Sequence, residues 1–181
     1  MNSSAAFKNS YNVMDQYKAM TVDQIRHSVL SKTFPYAVLM EQWVGDFNIS
    51  TMIRNANAFG AGEVFYVGKK KFDRRGTVGS HHYINLNHLR TIDDVKQLKD
   101  KYHFVCFENN RDSTVPLADY QWPKMPLMIF GEEGAGITDE MMELADDIVA
   151  IQQYGSVRSL NVGTCSGIVM HDFVSRGLRN V

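Results

Sequence analysis

Pro126-Leu127-Met128-Ile129-Phe130-Gly131-Glu132-Glu133-Gly134-Ala135-Gly136 is the stretch on which the fold turns. Five apolar residues in a row make a continuous run of strand length. They lack the alternation of a strand with one wet face. Such a run is a strand covered on both faces, as in a parallel sheet. Glycines interrupt it, and Thr138 then caps a helix expected to run to about Ala145. In parallel α/β sheets, ligands sit beyond the carboxyl ends of strands, which is where this glycine-acid loop falls.

Working outward, the same kind of run recurs at Tyr36–Met40, Val64–Val67, Phe104–Phe107 and Ile148–Ile151, with a shorter strand expected over Tyr83–Leu86. Helices are expected between them. Thr21-Val22-Asp23-Gln24 is a capping-box pattern whose helix ends at Pro35. Met52, Ile53, Ala56 and Phe59 repeat at helical spacing over 50–59. Ile92–Lys101 is amphipathic, and a last helix spans Ser159 to about Leu178. The expected fold class is α/β: a mostly parallel sheet with helices on both faces. Residues 1–35 read as a short arm, loose to about Asp15, followed by a helix; 36–181 read as one domain.

Composition narrows the field. The chain has 181 residues, 44% hydrophobic and 22% charged, so it is long enough to bury a core and is not a disordered type. Two cysteines, Cys106 and Cys165, do not make a secreted disulfide scaffold. No apolar run reaches the roughly 20 residues of a membrane span. Met1–Ser10 has no signal-peptide core, so a cytoplasmic location is expected and no membrane partner. The net charge is −1. Yet Lys69, Lys70, Lys71, Arg74 and Arg75 cluster in one short stretch, while seven acids and no Lys or Arg lie between Gly131 and Asp147. One face can therefore meet a polyanion such as RNA; a solvated charged loop gives the same pattern.

Three loops are placed for chemistry: those before Ser50, after Phe130 and after Ile151. The loop from Gly131 to Gly136 is neither G-x-G-x-x-G nor a P-loop, and Glu132 and Glu133 would repel a pyrophosphate. A neutral or cationic nucleoside is a better match, although a tight turn with solvated glutamates has the same sequence. Gly163-Thr164-Cys165-Ser166-Gly167 has the form of a nucleophile elbow, but it falls inside a helical run and reads instead as a close-packed small-residue surface. His81-His82 has no second ligand pair at zinc spacing, so no metal is expected.

Three segments together resemble the motifs of the SpoU-type 2′-O-ribose RNA methyltransferases, a branch of the SPOUT superfamily. Asn48-Ile49-Ser50-Thr51-Met52-Ile53-Arg54-Asn55-Ala56-Asn57-Ala58-Phe59-Gly60 is similar to N…R…A-F-G. Phe130-Gly131-Glu132-Glu133-Gly134-Ala135-Gly136 resembles F-G-x-E-x-x-G. Ile151 through Gly155, then Ser159-Leu160-Asn161-Val162, resembles I-P-x-x-G…S-L-N-V. Two positions depart from the pattern: Gln152 stands for proline, and Gly163 for a common serine.

The resemblance implies a SPOUT fold with a C-terminal deep trefoil knot, an exception to un-knotted connections. It implies a homodimer with the active site at the subunit interface, S-adenosylmethionine as cofactor, and transfer RNA or ribosomal RNA as substrate. It places Gly131, Ile151, Leu160 and, less directly, Phe107 at the cofactor. Arg54, Ser159, Asn161, Asn48 and Glu133 become the catalytic candidates, and Lys69, Lys70, Lys71, Arg74 and Arg75 the RNA-binding ones. Two competitors remain: a catalytically inactive RNA-binding dimer of the same fold, and a Rossmann-like oxidoreductase using the Gly131–Gly136 loop.

Overall fold

The computed structural model describes residues 12–43, 47–109, 111 and 114–180; most of the arm expected over 1–15 lies outside them. In chain order the elements are α1 (Val22–Leu30), β1 (Phe34–Gln42), α2 (Asn48–Ala58), β2 (Ala61–Gly68), β3 (Leu86–Leu89), α3 (Ile92–Lys96), β4 (His103–Phe107), β5 (Val115–Pro116), β6 (Pro126–Phe130), α4 (Asp139–Met142), β7 (Asp147–Ala150) and α5 (Val162–Arg176). The strands form one sheet in the order β3-β2-β1-β6-β4-β7-β5. Every pairing in it is parallel.

The apolar runs explain the layering. Successive side chains of a strand point to opposite faces. Tyr36, Val38 and Met40 of β1 and Met128 and Phe130 of β6 enter one core, with Ile49, Met52 and Ile53 of α2 and Val169, Met170 and Phe173 of α5. Ala37 and Leu39 of β1 and Leu127 and Ile129 of β6 enter the other, with Ile92 and Val95 of α3 and Met141 of α4. Both faces are dry, so the central strands have no polar side to show.

α1 carries the expected capping box, with Thr21 and Gln24 each bonding the other's backbone N–H. It packs through buried Ile25, and the Arg26 guanidinium donates to the carbonyls of His82 and Ile84 at 3.3 and 2.9 Å. Among the described residues no helix is long and apolar enough to cross a membrane.

Boundaries differ from expectation at several elements. The strand expected over Tyr83–Leu86 lies at Leu86–Leu89 instead. Tyr83 and Ile84 are buried, but the Tyr83 N–H closes a 3₁₀ turn on the Ser80 carbonyl rather than joining the ladder. α3 gives way to a 3₁₀ turn at Gln97 and α4 ends at Met142, both shorter than expected. α5 begins at Val162, not Ser159, because Asn161 is its cap, with ψ 134° and its side chain accepting from Thr164 N–H. The two-residue β5 is too short to leave a periodic signal.

Candidate functional site

β1, β6, β4 and β7 are neighbours in the sheet, and the loops leaving β4, β6 and β7 enclose a cavity of about 490 Å³. Phe107, Glu108 and Asn109 line it from β4, Gly131 to Ile137 from β6, and Ile151 with Arg158 to Val162 from the segment after β7; Cys165 of α5 completes the wall.

The β6 loop is a closed turn. Glu132 N–H donates to the Gly136 carbonyl at 3.2 Å, and Gly136 N–H returns to the Glu132 carbonyl at 2.9 Å. Gly134 and Gly136 adopt φ of +90° and +74°, which only glycine takes without strain. At these glycines the wall presents main-chain groups rather than side chains. The far end of the loop is fixed to β1. Buried Glu41 accepts from Thr138 N–H at 2.8 Å, from the Thr138 hydroxyl at 2.6 Å and from the Trp43 indole at 3.0 Å.

Beside the cavity the three quoted segments meet. Asn48 Nδ2 donates to Glu133 Oε2 at 2.6 Å; Asn161 Nδ2 donates to Asn48 Oδ1 at 2.9 Å and to Glu133 Oε1 at 3.3 Å. The Asn161 oxygen is meanwhile spent on the cap of α5, accepting from Thr164 N–H at 3.1 Å. One asparagine thus fixes a helix start and joins a polar ring. Asn48 is the first residue of α2 rather than its cap, so its amide is available to this ring.

Gly131, Ile151, Leu160 and Phe107 all line the cavity, as does exposed Ser159. Ile151 N–H is held by Asn109 Oδ1 at 3.2 Å, and the Phe107 ring stacks on Phe130 at 5.3 Å. Arg54 is elsewhere: it is exposed on the outer side of α2 and does not line the cavity. Its neighbour Asn55 points inward, donating to the Gly163 carbonyl at 2.9 Å and to the Ser166 hydroxyl at 3.0 Å. α2 and α5 approach closely there. A Cβ on Gly163 would meet Thr51 Cγ2 at 2.8 Å and the Asn161 oxygen at 3.1 Å, so glycine at this departure from the motif matches threonine at position 51. Gln152, the other departure, is exposed and accepts from the Tyr154 hydroxyl at 3.1 Å.

The basic stretch follows β2 and is separate from the cavity lining, with Lys69, Lys70, Lys71, Arg74 and Arg75 all exposed. Its backbone is pinned: Gln42 Nε2 donates to the carbonyls of Lys69 and Lys71, at 2.8 and 3.1 Å, and the Tyr66 hydroxyl to that of Lys70 at 3.1 Å. Arg75 pairs with Asp73, and the Ser50 hydroxyl of α2 donates to the Asp73 carbonyl. The loop is thus mounted on the helix that carries Arg54.

Cys165 lies inside α5, as the close-packed reading of Gly163–Gly167 expects. Its thiol is pushed up to about 12 by burial and, next, by the charge of Glu108. The rings of His81 and His82 lie 4.0 Å apart, tilted by 38°, and among the described residues no group of three His, Cys, Asp or Glu could hold a metal ion. Sequence reasoning missed Glu108, Asn109 and the Glu41 anchor. The first two could have been found, since they directly follow an apolar strand at its carboxyl end; the partner of Glu41 is 97 residues away.

The glycine turn, the asparagine–glutamate ring and the pocket between them are built from the stretches whose order suggested a family, and comparison with known proteins agrees. The chain is 30% identical over 139 residues to the tRNA (guanosine(18)-2′-O)-methyltransferase of Escherichia coli, covering 75% of this chain and 61% of that protein. It therefore spans about three fifths of that relative. A crystal structure of the Aquifex aeolicus TrmH/SpoU tRNA modifying enzyme superposes with a TM-score of 0.74 at 21% identity, covering 87% of this chain and 82% of that one. An AdoMet-bound rRNA methyltransferase from Sinorhizobium meliloti gives a TM-score of 0.70 at 25% identity, over 82% and 60% of the two chains. The model of the SpoU rRNA Methylase family matches residues 35–171, and the chain belongs to that family.

Proposed function

We propose that this protein transfers the methyl group of S-adenosylmethionine to a ribose 2′-hydroxyl of RNA. The observation that carries the reading is the contact between the glycine-lined cavity and the Asn48–Glu133–Asn161 ring. The named activity of the Escherichia coli relative favours transfer RNA over ribosomal RNA, and the bound cofactor of the Sinorhizobium meliloti neighbour favours S-adenosylmethionine.

The residues present suit that cofactor. Gly131 leaves room where a Cβ would strike backbone, and backbone groups beside Ile151 and Leu160 can read a nucleoside edge. Phe107 offers apolar surface. When bound, the cofactor supplies a methyl group on a positively charged sulfur, already activated for transfer. The protein's share is then alignment and stabilisation of the ribose oxygen as its proton leaves.

Arg54 is read as the group that stabilises this oxygen. A guanidinium stays protonated, with a pKa above about 12, so it serves as a fixed cation rather than a base. Its outward position fits a homodimer in which Arg54 of one protomer faces the pocket of its partner. The exposed side of α2 carries Thr51, Arg54 and Ala58 at helical spacing, exposed Phe47 directly precedes it, and exposed Ile168 lies on the adjacent α5. Ser159 and Asn161 would orient the ribose, with Asn48 and Glu133 holding Asn161 in place. Lys69, Lys70, Lys71, Arg74 and Arg75 would meet RNA phosphates, giving affinity without sequence reading.

On this reading residues 1–35 are an arm and helix preceding a SPOUT methyltransferase domain, 36–181, whose C-terminal segment threads a trefoil knot. A cytoplasmic location accompanies an RNA substrate. The test is direct. Purified protein, radiolabelled S-adenosylmethionine and unmodified transfer RNA should give ribose-methylated RNA, resistant to alkaline cleavage at one position. No incorporation into transfer RNA or ribosomal RNA would remove the reading.

A further inference from the structure

Glu108 follows the last residue of β4 and belongs to none of the three motif segments. It lines the cavity, and its carboxylate sits directly against the glycine turn: a Cβ on Gly136 would meet Glu108 Oε2 at 2.5 Å. Main-chain donors fix it there. Oε1 accepts from Asn109 N–H at 2.9 Å, and Oε2 from Ile137 N–H at 3.4 Å. A carboxylate held by backbone N–H groups is a charge of fixed position. Its field reaches another element of the wall, because after burial Glu108 is the cause that raises the Cys165 thiol on α5.

Of the other charges of the lining, Glu133 is engaged by Asn48 and Asn161, Arg111 pairs with Asp139, and Glu132 and Arg158 also border the cavity. Glu108 thus sets a fixed negative charge in the wall of a cavity of about 490 Å³, where an opposite charge on an occupant is attracted more strongly than in bulk water. Transfer changes the occupant's charge: the sulfonium donor loses its methyl group and becomes a neutral thioether.

We propose that Glu108 is a specificity-determining residue that makes this pocket hold the sulfonium donor more tightly than the neutral thioether product. The proposal rests on the reading of the cavity as the S-adenosylmethionine site. It gives the chain a means of favouring product departure that backbone recognition of adenosine cannot supply, since the adenosine is identical in the two molecules.

The experiment is isothermal titration of wild type and Glu108→Gln with S-adenosylmethionine, sinefungin and S-adenosylhomocysteine. The first two carry a positive centre where the third has neutral sulfur. Wild type should bind the cationic pair more tightly. Glu108→Gln should weaken both by about tenfold, the size expected for loss of one fixed charge at intermediate dielectric, and S-adenosylhomocysteine by less than about twofold. Equal weakening of all three, or no change in any, overturns the proposal and leaves the cofactor reading standing. Failure of wild type to bind any of them overturns both. Should Glu108→Gln not fold, Glu108→Asn and Glu108→Asp give the same comparison at matched length, with only the aspartate expected to keep the preference.

Discussion

Gly131 and Gly136 approach so closely that a Cβ on Gly131 would overlap the main chain of Gly136 and Ile137. Gly136 cannot readily yield, because its N–H and carbonyl are both tied to Glu132 in the bridged turn that borders the cavity. Gly131→Ala should therefore open the turn. The expected outcome is loss of S-adenosylhomocysteine binding by at least about 100-fold and a destabilisation of about 2 kcal/mol, within the range for backbone-level clashes. Calorimetric titration and chemical denaturation check the two parts.

Arg54 has no place in its own protomer's cavity, so its role in the proposed reaction is a statement about the dimer. Arg54→Ala should lower methyl transfer by about 100-fold or more, the scale of losing a transition-state charge partner, with the thermal midpoint and donor affinity unchanged. Mixed with Gly131→Ala protein, it should regain activity. In a mixed dimer one pocket has an intact glycine turn and receives Arg54 from the other chain. Absence of rescue in a verified mixed dimer would contradict the shared site.

Asn161 serves both α5 and the ring, and two substitutions separate these duties. Asn161→Ala removes the cap and should cost about 1 kcal/mol, a fall of about 2–4 °C in a domain of this size. Asn161→Asp keeps an oxygen for Thr164 N–H but turns a carboxylate toward Glu133. It should retain more of the helix stability than alanine does and still lose transfer. Melting curves and single-turnover rates distinguish the outcomes.

Both thiols are raised to about 12: Cys106 chiefly by burial and then by Glu41, Cys165 by burial and then by Glu108. At pH 8 only about one molecule in 10⁴ would present either thiolate. Iodoacetamide should modify native protein slowly at pH 8 and faster as pH rises, while urea-unfolded protein reacts at once. Mass spectrometry of the intact chain reads this.

His81 is held down to about 4 by burial, with the neighbouring His82 and Arg74 adding to the effect. Its ordinary value is about 6.5. Between these limits the unfolded chain binds the proton and the folded one does not, so stability falls as pH drops from about 6.5 to 4. His81→Asn should flatten this part of the melting-temperature profile.

The sheet was legible because its strands are dry on both faces: the runs at Tyr36–Met40 and Pro126–Phe130 are continuous, of strand length, and recur between helical stretches. The turn from Gly131 to Gly136 was legible for a similar reason, since its glycines have a steric cause. What sequence could not show was pairing at a distance. Tyr83 and Ile84 look like a strand because burial, not ladder geometry, selects their side chains. Glu41 reads as an acid stranded in an apolar strand until Thr138 is placed beside it. Arg54 was identifiable by pattern alone; nothing local reveals that it faces away from the pocket formed by its own chain.

The ring of Asn48, Glu133 and Asn161 joins positions separated by 85, 113 and 28 residues. A growing polypeptide therefore cannot assemble this ring until its third member has left the ribosome and docked. Premature or truncated products that end before Asn161 would lack a finished pocket.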